Sequence, residues 1–308
     1  MSGYWAGILT ILSINIIFAY GIFLPVASGQ LNLGGAGFQA TGAYAAAYIA
    51  AQFGAGPLVT IGSGALIAGL LGWLMAYPML RTKGVYLVLA TFAFAEVVSG
   101  IVLNSEKLGG PTGLTVPNFI DWYVPGIAAA IVAVGIFYLM STRFGLNMRA
   151  CHDDDVVTDL MGVNVRAVKV AAFALGAALA GFAGALYAHA FNYVEIQSFG
   201  AMVSIYVLLF VLLGGTQTPW GPIVGATFFT ILPEAIRPVL PLIKKAIIAV
   251  FGPIVPATPP DDSWRFVILG LCTIVMMALR PEGLITSTMI ERLRHRRRAP
   301  IKTGESPA

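Results

Sequence analysis

Residues 28–44 read SGQLNLGGAGFQATGAY, a stretch with five glycines, two glutamines and one asparagine but no charged residue. The stretch lies within the first 80 residues, which contain no Asp, Glu, Lys, Arg or His. Glycine disfavours a helix by about 1 kcal/mol relative to alanine, so Gly34, Gly35 and Gly37 together interrupt any helix at this place. The side chains of Asn32 and Gln39 add polar groups there. This combination predicts a discontinuous helix near the N-terminus.

The composition excludes a soluble globular protein. The chain has 308 residues, of which 58% are hydrophobic and 10% are charged, and its mean hydropathy is +0.84. Ordinary globular domains contain about 25% charged residues. A soluble protein with so few charges would have too little to solvate its surface, so the chain is an integral membrane protein.

Apolar runs of about 20 residues can cross a bilayer as helices, and nine runs approach or reach that length. We expect an all-α, polytopic membrane helical bundle with about eight to ten transmembrane spans. The count is a range because the run at 200–213 is short and can join its neighbour through a bend. The nine runs are 5–27, 33–53, 57–80, 84–103, 124–141, 166–190, 200–213, 221–242 and 264–280.

Basic residues predict the orientation, because cytoplasmic loops carry an excess of Lys and Arg. Arg81 and Lys83 follow the third run, four more basic residues lie within 143–169, and an arginine-rich tail ends the chain. With nine spans, all three places fall on one side, which we assign as cytoplasmic. We expect a membrane domain at 1–285 and a basic cytoplasmic tail at 286–308, and we interpret the tail as a topology signal rather than a nucleic-acid site.

The sixth run contains small residues at a spacing of four. Small residues on one helix face let another membrane helix approach closely. Packing inside this chain and packing against another subunit both explain the pattern. The row consists of Ala172, Gly176, Ala180, Gly184 and Ala188, with Ala177, Gly181 and Ala185 beside it.

The loop at 142–168 is the only strongly charged internal segment. Its apolar residues can form one side of a short amphipathic helix that Gly162 ends, a candidate docking element for another protein. A solvated loop is the alternative, since charged runs are usually only solvated. Three consecutive aspartates point in different directions on a helix, which argues against a metal site. The apolar residues are Met148, Val156, Val157, Leu160 and Met161.

Glu96 is an acidic residue within the fourth apolar run. An ionisable group at membrane depth is costly and suggests a function. A structural hydrogen bond to a neighbouring helix, or to Ser99 or Thr91, explains it equally well. His189 and Glu195 lie near the end of a span, where an interfacial position is expected.

Sequence motifs of enzymes are absent. The chain has no G-x-x-x-x-G-K-[ST] phosphate loop and no G-x-S-x-G, H-E-x-x-H or C-x-x-C motif. We therefore expect no catalytic residue, no cofactor and no bound metal.

Several segments in order along nearly the whole chain resemble LivM-type permeases of branched-chain amino acid ABC transporters. These segments are SGQLNLGGAGFQATGAYAAA at 28–47, LRTKGVYLVLATFAFAE at 80–96, GGPTGLTVP at 109–117, the stretch at 149–188, GGTQTPWGPIVGATFFTILPEAIR at 214–237 and ALRPEGLI at 278–285. The family often carries basic and glutamate residues after the Arg-Ala pair. Here Cys151, His152 and Asp153 to Asp155 follow it, a pattern that is nearer to the sister LivH-type permeases.

The resemblance implies a permease subunit of a multi-pass importer in the bacterial inner membrane. A periplasmic binding protein would deliver branched-chain amino acids or related small polar solutes. Two cytoplasmic ATPase subunits would drive transport, and a second, LivH-type permease would complete the pathway in the lipid bilayer. Contact with the ATPases would involve Arg149, Asp153, Asp155, Asp159, Leu160, Met161 and Gly162. An ATP-independent secondary transporter or channel is the alternative, although it usually needs acidic residues for ion coupling.

The predicted helix break then has a functional interpretation. Irregular backbone in a membrane survives only where it is buried in protein or lines a water-filled cavity, and half-helix ends expose backbone donors and acceptors. We therefore expect the stretch 28–44 to lie beside the pathway. Tight helix packing without a transport role is the alternative, because glycine is common in membrane helices.

Overall fold

The computed structural model describes residues 3–82 and 84–236, together with residues 270, 271, 273, 274 and 278. Ten α-helices dominate this part of the chain. They are α1 (Gly3–Ala27), α2 (Gly35–Phe53), α3 (Pro57–Met79), α4 (Val85–Leu103), α5 (Tyr123–Ser141), α6 (Arg143–Asp153), α7 (Asp155–Leu160), α8 (Val165–Phe191), α9 (Ala201–Gly214) and α10 (Trp220–Ile236).

The predicted all-α membrane bundle is confirmed. Within the described residues, six helical segments are long and apolar enough to cross a membrane, namely α1, α3, α4, α5, α8 and Ile196–Gly214. Helices α2 and α10 coincide with two further apolar runs of the sequence. The predicted run at 264–280 lies almost entirely outside the described residues, and the loop 246–263 and the tail 286–308 lie wholly outside them. The total of eight to ten spans therefore stays a prediction.

Helices α2 and α8 form the centre of the bundle. Helix α8 packs against α1, α2 and α3, and α2 also contacts α4 and α9. Phe38 of α2 lies edge-to-face against Phe173 of α8, with 5.7 Å between ring centroids. Lipid tails are as apolar as these side chains, so moving the side chains from lipid into the protein gains little free energy. Close packing between the helices therefore supplies the attraction.

The loop between α4 and α5 closes the end of the bundle at which α8 ends. Residues Leu114–Thr115 (β1) pair antiparallel with Tyr193–Val194 (β2), which directly follows α8. His189 is fully buried beneath this pair. Its Nδ1 donates to the carbonyl oxygen of Asn118 at 3.0 Å, and its Nε2 lies 2.6 Å from the hydroxyl of Thr60. His189 thus joins α3, α8 and the loop rather than lying at an interface with lipid headgroups.

Candidate functional site

The stretch predicted to break a helix separates α1 from α2. Helix α1 ends at Ala27, and the carbonyl oxygen of Pro25 accepts from the amides of Ser28 and Gln30, each at 3.0 Å. Gly29 has φ +79°, a left-handed conformation that favours glycine. Helix α2 begins six residues later, at Gly35. The chain therefore reverses direction between two helices rather than continuing through a kink.

The start of α2 lies inside the bundle rather than at its end. Gly35 faces Ile22 and Phe18, which lie about one and a half and two and a half turns before the end of α1. Gly34 faces Thr91 of α4, which is about 9 Å along the axis from the first residue of that helix. A Cβ added at Gly34 would lie 2.8 Å from the carbonyl oxygen of Thr91. Glycine is required at position 34 because the backbone of α4 lies directly against it.

Side chains from two other helices satisfy the exposed backbone donors at this start. The amide of Leu33 donates to the hydroxyl of Thr91 at 3.0 Å, and the amide of Ala36 donates to the hydroxyl of Ser204 in α9 at 2.7 Å. Asn32 contributes locally, since its Oδ1 accepts from the amide of Gly34 at 2.7 Å. The first amides of any helix lack intrahelical partners, so these three contacts hold α2 in place.

The polar residues of the break are mostly buried in this chain. Asn32 is 2% exposed and Gln39 is 5% exposed, whereas Leu31, the residue before Asn32, is 44% exposed. Gly37 packs against Ala95 of α4. Within the described residues, the Oε1 atom of Gln39 is buried without a hydrogen-bond partner. An unpaired buried acceptor costs about 1–3 kcal/mol. A hydrogen-bond donor that reaches Oε1 of Gln39, from water, solute or another subunit, would therefore stabilise this site.

The small-residue row of α8 faces α1, α2 and α3 of the same chain. A Cβ at Gly176 would collide with the carbonyl oxygen of Gly21, and one at Gly184 would collide with that of Gln39. Ala180 is 1% exposed, and its backbone lies against Gly21. The row therefore contacts helices within this chain, including the first turns of α2.

The charged loop forms two helices instead of the single one expected. The backbone of Asp154 is extended, with φ −157° and ψ 115°, and this separates α6 from α7. The Oδ1 of Asp154 accepts from the amides of Val156 at 2.8 Å and Val157 at 3.1 Å. Asp154 is thus the N-cap of α7, and the competing preference of aspartate for caps explains why one continuous helix was the wrong prediction.

Gly162 ends α7 as predicted, with φ +81°. Its amide donates to the carbonyl oxygen of Asp159 at 2.9 Å. Met148 of α6 is fully buried, so it does not share a face with the apolar residues of α7. Those four residues form a contiguous exposed surface, which we call the α7 patch. Its members are Val156, Val157, Leu160 and Met161, which are 70%, 50%, 82% and 79% exposed.

The acidic residues of this segment have different environments. Asp155 is half-buried and its Oδ2 accepts from the ammonium of Lys169 at 2.6 Å. Asp153 is exposed and lies 3.6 Å from the ring of His152. Asp159 is also exposed. The basic residue Arg149, which was predicted to act with these carboxylates, is half-buried. Asp155 alone among these carboxylates is an anchor between α7 and α8.

Cys151 lies beside this anchor in α6 and is 3% exposed. Burial raises the pKa of the Cys151 thiol, and the carboxylate of Asp155 raises it further, whereas the ammonium of Lys169 lowers it. The thiol is therefore protonated at neutral pH and belongs to the packing between α6 and the bundle.

Glu96 is exposed on α4 in this chain. Thr91 cannot be its partner, because Thr91 is fully buried and its hydroxyl contacts Leu33 and Val88. Among the described residues, no hydrogen bond joins Glu96 to Ser99. A carboxylate near the middle of a 19-residue apolar helix is costly when it faces lipid. We therefore expect water or another protein to lie against this face of α4.

The comparisons with known proteins agree with this arrangement. The model of the family described as branched-chain amino acid transport system, permease component, matches residues 4–277. LivM of Escherichia coli, a high-affinity branched-chain amino acid transport system permease protein, is 28% identical over 91% of this chain and 70% of its own length. A probable LivM permease of Methanocaldococcus jannaschii is 25% identical over 91% of both chains.

More distant relatives extend the comparison to other ABC transporters. The inner membrane ABC transporter permease protein YjfF of Escherichia coli is 26% identical over 72% of this chain and 69% of its own length. No solved structure matches the chain. These relatives are transport subunits, not enzymes, and they support an ABC permease rather than an ATP-independent secondary transporter or channel. The chain therefore belongs to the family of branched-chain amino acid transport system permease components of ABC transporters.

Proposed function

We propose that this chain is one permease subunit of an importer in a bacterial inner membrane that carries branched-chain amino acids or related small polar solutes. A periplasmic binding protein delivers the solute, a second, LivH-type permease completes the pathway, and two cytoplasmic ATPase subunits supply the energy. The substrate class follows the names of the relatives and of the matched family. The absence of a phosphate loop in this chain supports separate ATPase subunits.

The exposed α7 patch is the observation that best supports the proposed contact with the ATPase subunits. It lies outside the candidate spanning helices, in the segment between α5 and α8 that also carries Arg143 and Arg166, and the excess of basic residues there supports a cytoplasmic position. Contiguous exposed apolar surface outside the membrane is typical of a protein interface. Asp159 within α7 and Asp153 just before it are exposed and supply negative charges near the patch, and the half-buried Arg149 of α6 is proposed as a further contact. Gly162 permits the chain to turn into α8.

The test of this contact uses two substitutions at Leu160, whose side chain is 82% exposed. We expect Leu160→Asp to abolish co-purification of the ATPase subunits, because a carboxylate in an apolar interface is left unpaired. Leu160→Met keeps the apolar surface and retains the subunits. Co-purification at the wild-type level with Leu160→Asp would contradict the docking role. The yield and elution volume of the chain alone check that each variant folds.

We also propose that the break at 28–44 lies beside the pathway. The Asn32 and Gln39 side chains place polar groups inside the bundle at the start of α2, and Oε1 of Gln39 is buried without a hydrogen-bond partner among the described residues. The exposed Glu96 supports a pathway along α4, since a carboxylate there needs water or protein rather than lipid. A carboxylate in a pathway favours solutes with an ammonium group, which amino acids carry.

A further inference from the structure

We propose that Lys169 is a positioning residue that passes movement of the ATPase-facing segment to the break between α1 and α2. The inference rests on the proposed function, because it assumes that an ATPase moves α7. It adds the route by which that movement reaches the pathway. Lys169 lies in the second turn of α8 and contacts both elements, one through its side chain and the other through its backbone.

The side chain of Lys169 holds α7. Its ammonium donates to Oδ2 of Asp155 at 2.6 Å, and the two side chains are 16% and 34% exposed. Within the part of the chain that the structure describes, Oδ1 of Asp155 is buried and makes no hydrogen bond. Asp155 is the first residue of α7 and directly follows its cap, so a displacement of α7 pulls on this ion pair.

The backbone of Lys169 holds the break. Its carbonyl oxygen accepts from Nε2 of Gln30 at 3.1 Å, and the same Nε2 donates to the hydroxyl of Ser28 at 2.9 Å. Gln30 is 1% exposed. It lies four residues before the Gly34 cap of α2, so a shift of α8 at Lys169 displaces the chain that leads into α2.

A second contact runs beside the first. Gly29, the residue before Gln30, lies against the backbone of His152, and a Cβ added at Gly29 would be 3.3 Å from the Cα of His152. The ATPase-facing helices therefore meet the break directly at α6 and through Lys169 at α7. Contiguous side-chain and backbone contacts of this kind carry coupling between two sites when the element that joins them has two discrete arrangements.

Space for the movement exists next to Lys169. A cavity of about 630 Å³ separates α7 from the α3–α4 connection, and its walls include Gln30, Arg81, Asp155 and Lys169. Packed cores do not deform continuously, so an element that moves needs a neighbouring void or a second packing arrangement. The cavity lets α7 change position while the core of the bundle stays packed.

The experiment measures solute uptake and ATP hydrolysis in the same proteoliposomes, which contain the full transporter and are supplied with its binding protein and leucine. We expect Lys169→Met to raise the ATP hydrolysed per leucine transported by at least about fivefold, the lower end of the range for coupling between sites. Lys169→Arg keeps the cation and a ratio close to wild type. The matched control is Arg166→Met, which removes an exposed cation one turn earlier whose guanidinium lies over Tyr77; its ratio also stays close to wild type.

Asp155→Asn and Gln30→Met test the two ends of the route independently. Both are expected to raise the ATP hydrolysed per leucine transported. The Lys169→Met, Asp155→Asn double variant should raise it little beyond either single variant, since both substitutions break the same ion pair. An unchanged ratio in Lys169→Met overturns the inference. Where that variant does not assemble, Asp155→Asn decides by the same criterion. Failure of the wild-type chain to recruit ATPases would instead overturn the proposed function.

Discussion

Helices α8 and α4 are both strongly apolar, yet α8 lies at the centre of the bundle and α4 lies at its periphery. Their mean hydropathies are 1.8 and 2.1, but 61% of the apolar window of α8 is buried in this chain against 22% for α4. Helix α8 carries its small residues toward α1, α2 and α3, whereas α4 exposes Leu89, Val97 and Ile101. Hydropathy thus predicts that a helix enters the membrane, and side-chain size predicts how deeply it sits in the protein.

The strongest test of this contrast places the same side chain on both helices. Gly184→Leu puts a branched side chain where even a Cβ collides with the backbone of Gln39, so we expect little or no folded chain. Ala93→Leu changes an exposed position of α4 and should alter the stability of the chain by no more than about 0.5 kcal/mol.

The yield of monodisperse protein in detergent measures both variants. Normal yield, assembly and transport with Gly184→Leu would remove the packing account of α8. A loss of folded protein with Ala93→Leu would show that the exposed face of α4 is packed within the chain.

The next test concerns what lies against the exposed face of α4. Glu96→Gln removes the charge and keeps the shape, and we expect uptake to fall about tenfold, the equivalent of one charge-assisted hydrogen bond of roughly 1.5 kcal/mol. Ser99→Ala, on the same helix, is the matched control and should transport normally. The measurement is leucine uptake in proteoliposomes, with solute affinity of the binding protein as a check. Wild-type uptake with Glu96→Gln would exclude a role of this carboxylate in the pathway.

A cysteine scan of residues 30–41 sharpens the comparison, because the break lies between α4 and α8. In a background without Cys151 and Cys272, we expect Leu31→Cys to react with a water-soluble thiol reagent at rest. Asn32→Cys and Gln39→Cys should react several times faster when ATP and the loaded binding protein drive the transporter. Resistance at every position in every state would favour tight packing without a pathway.

The smallest expected effect is at the packed face of α4. Thr91→Val removes the hydroxyl that accepts from the amide of Leu33 and costs about 1 kcal/mol. For a chain of 308 residues, this lowers the melting temperature in detergent by about 1.5 °C. Thr112→Val changes an exposed threonine of the loop between α4 and α5 and is the control. An unchanged melting temperature for Thr91→Val would mean that this contact does not hold the start of α2.

Much of the fold follows from local patterns in the sequence. Apolar runs predicted helices α1 to α5 and α8 to within about two residues of their observed ends, a margin that assignment methods share. The glycine-rich stretch predicted the interruption before α2, although of the three glycines only Gly34 lies outside the helix, while Gly35 and Gly37 belong to its first turn. Gly162 predicted the end of α7. Each of these features depends on residues close together in the chain.

The features that sequence reasoning missed depend on distant residues or on helix rotation. Ser204 caps α2 across 168 residues and Thr91 across 58, and neither contact has a local signal. The rotation of α4 that exposes Glu96 and buries Thr91 is set by packing against α2. Asp154 had a local signal, since aspartate before a short apolar run is a typical N-cap, and that preference could have predicted the split into α6 and α7.

The central claim is that this chain is a membrane pathway driven by separate ATPase subunits that dock at the α7 patch. The most direct measurement is solute uptake by proteoliposomes that contain the purified chain with its second permease and binding protein, with and without the ATPase subunits and ATP. The account predicts uptake only when ATPases and ATP are both present, and its loss with Leu160→Asp. Uptake by the purified chain without any nucleotide-hydrolysing subunit would contradict it.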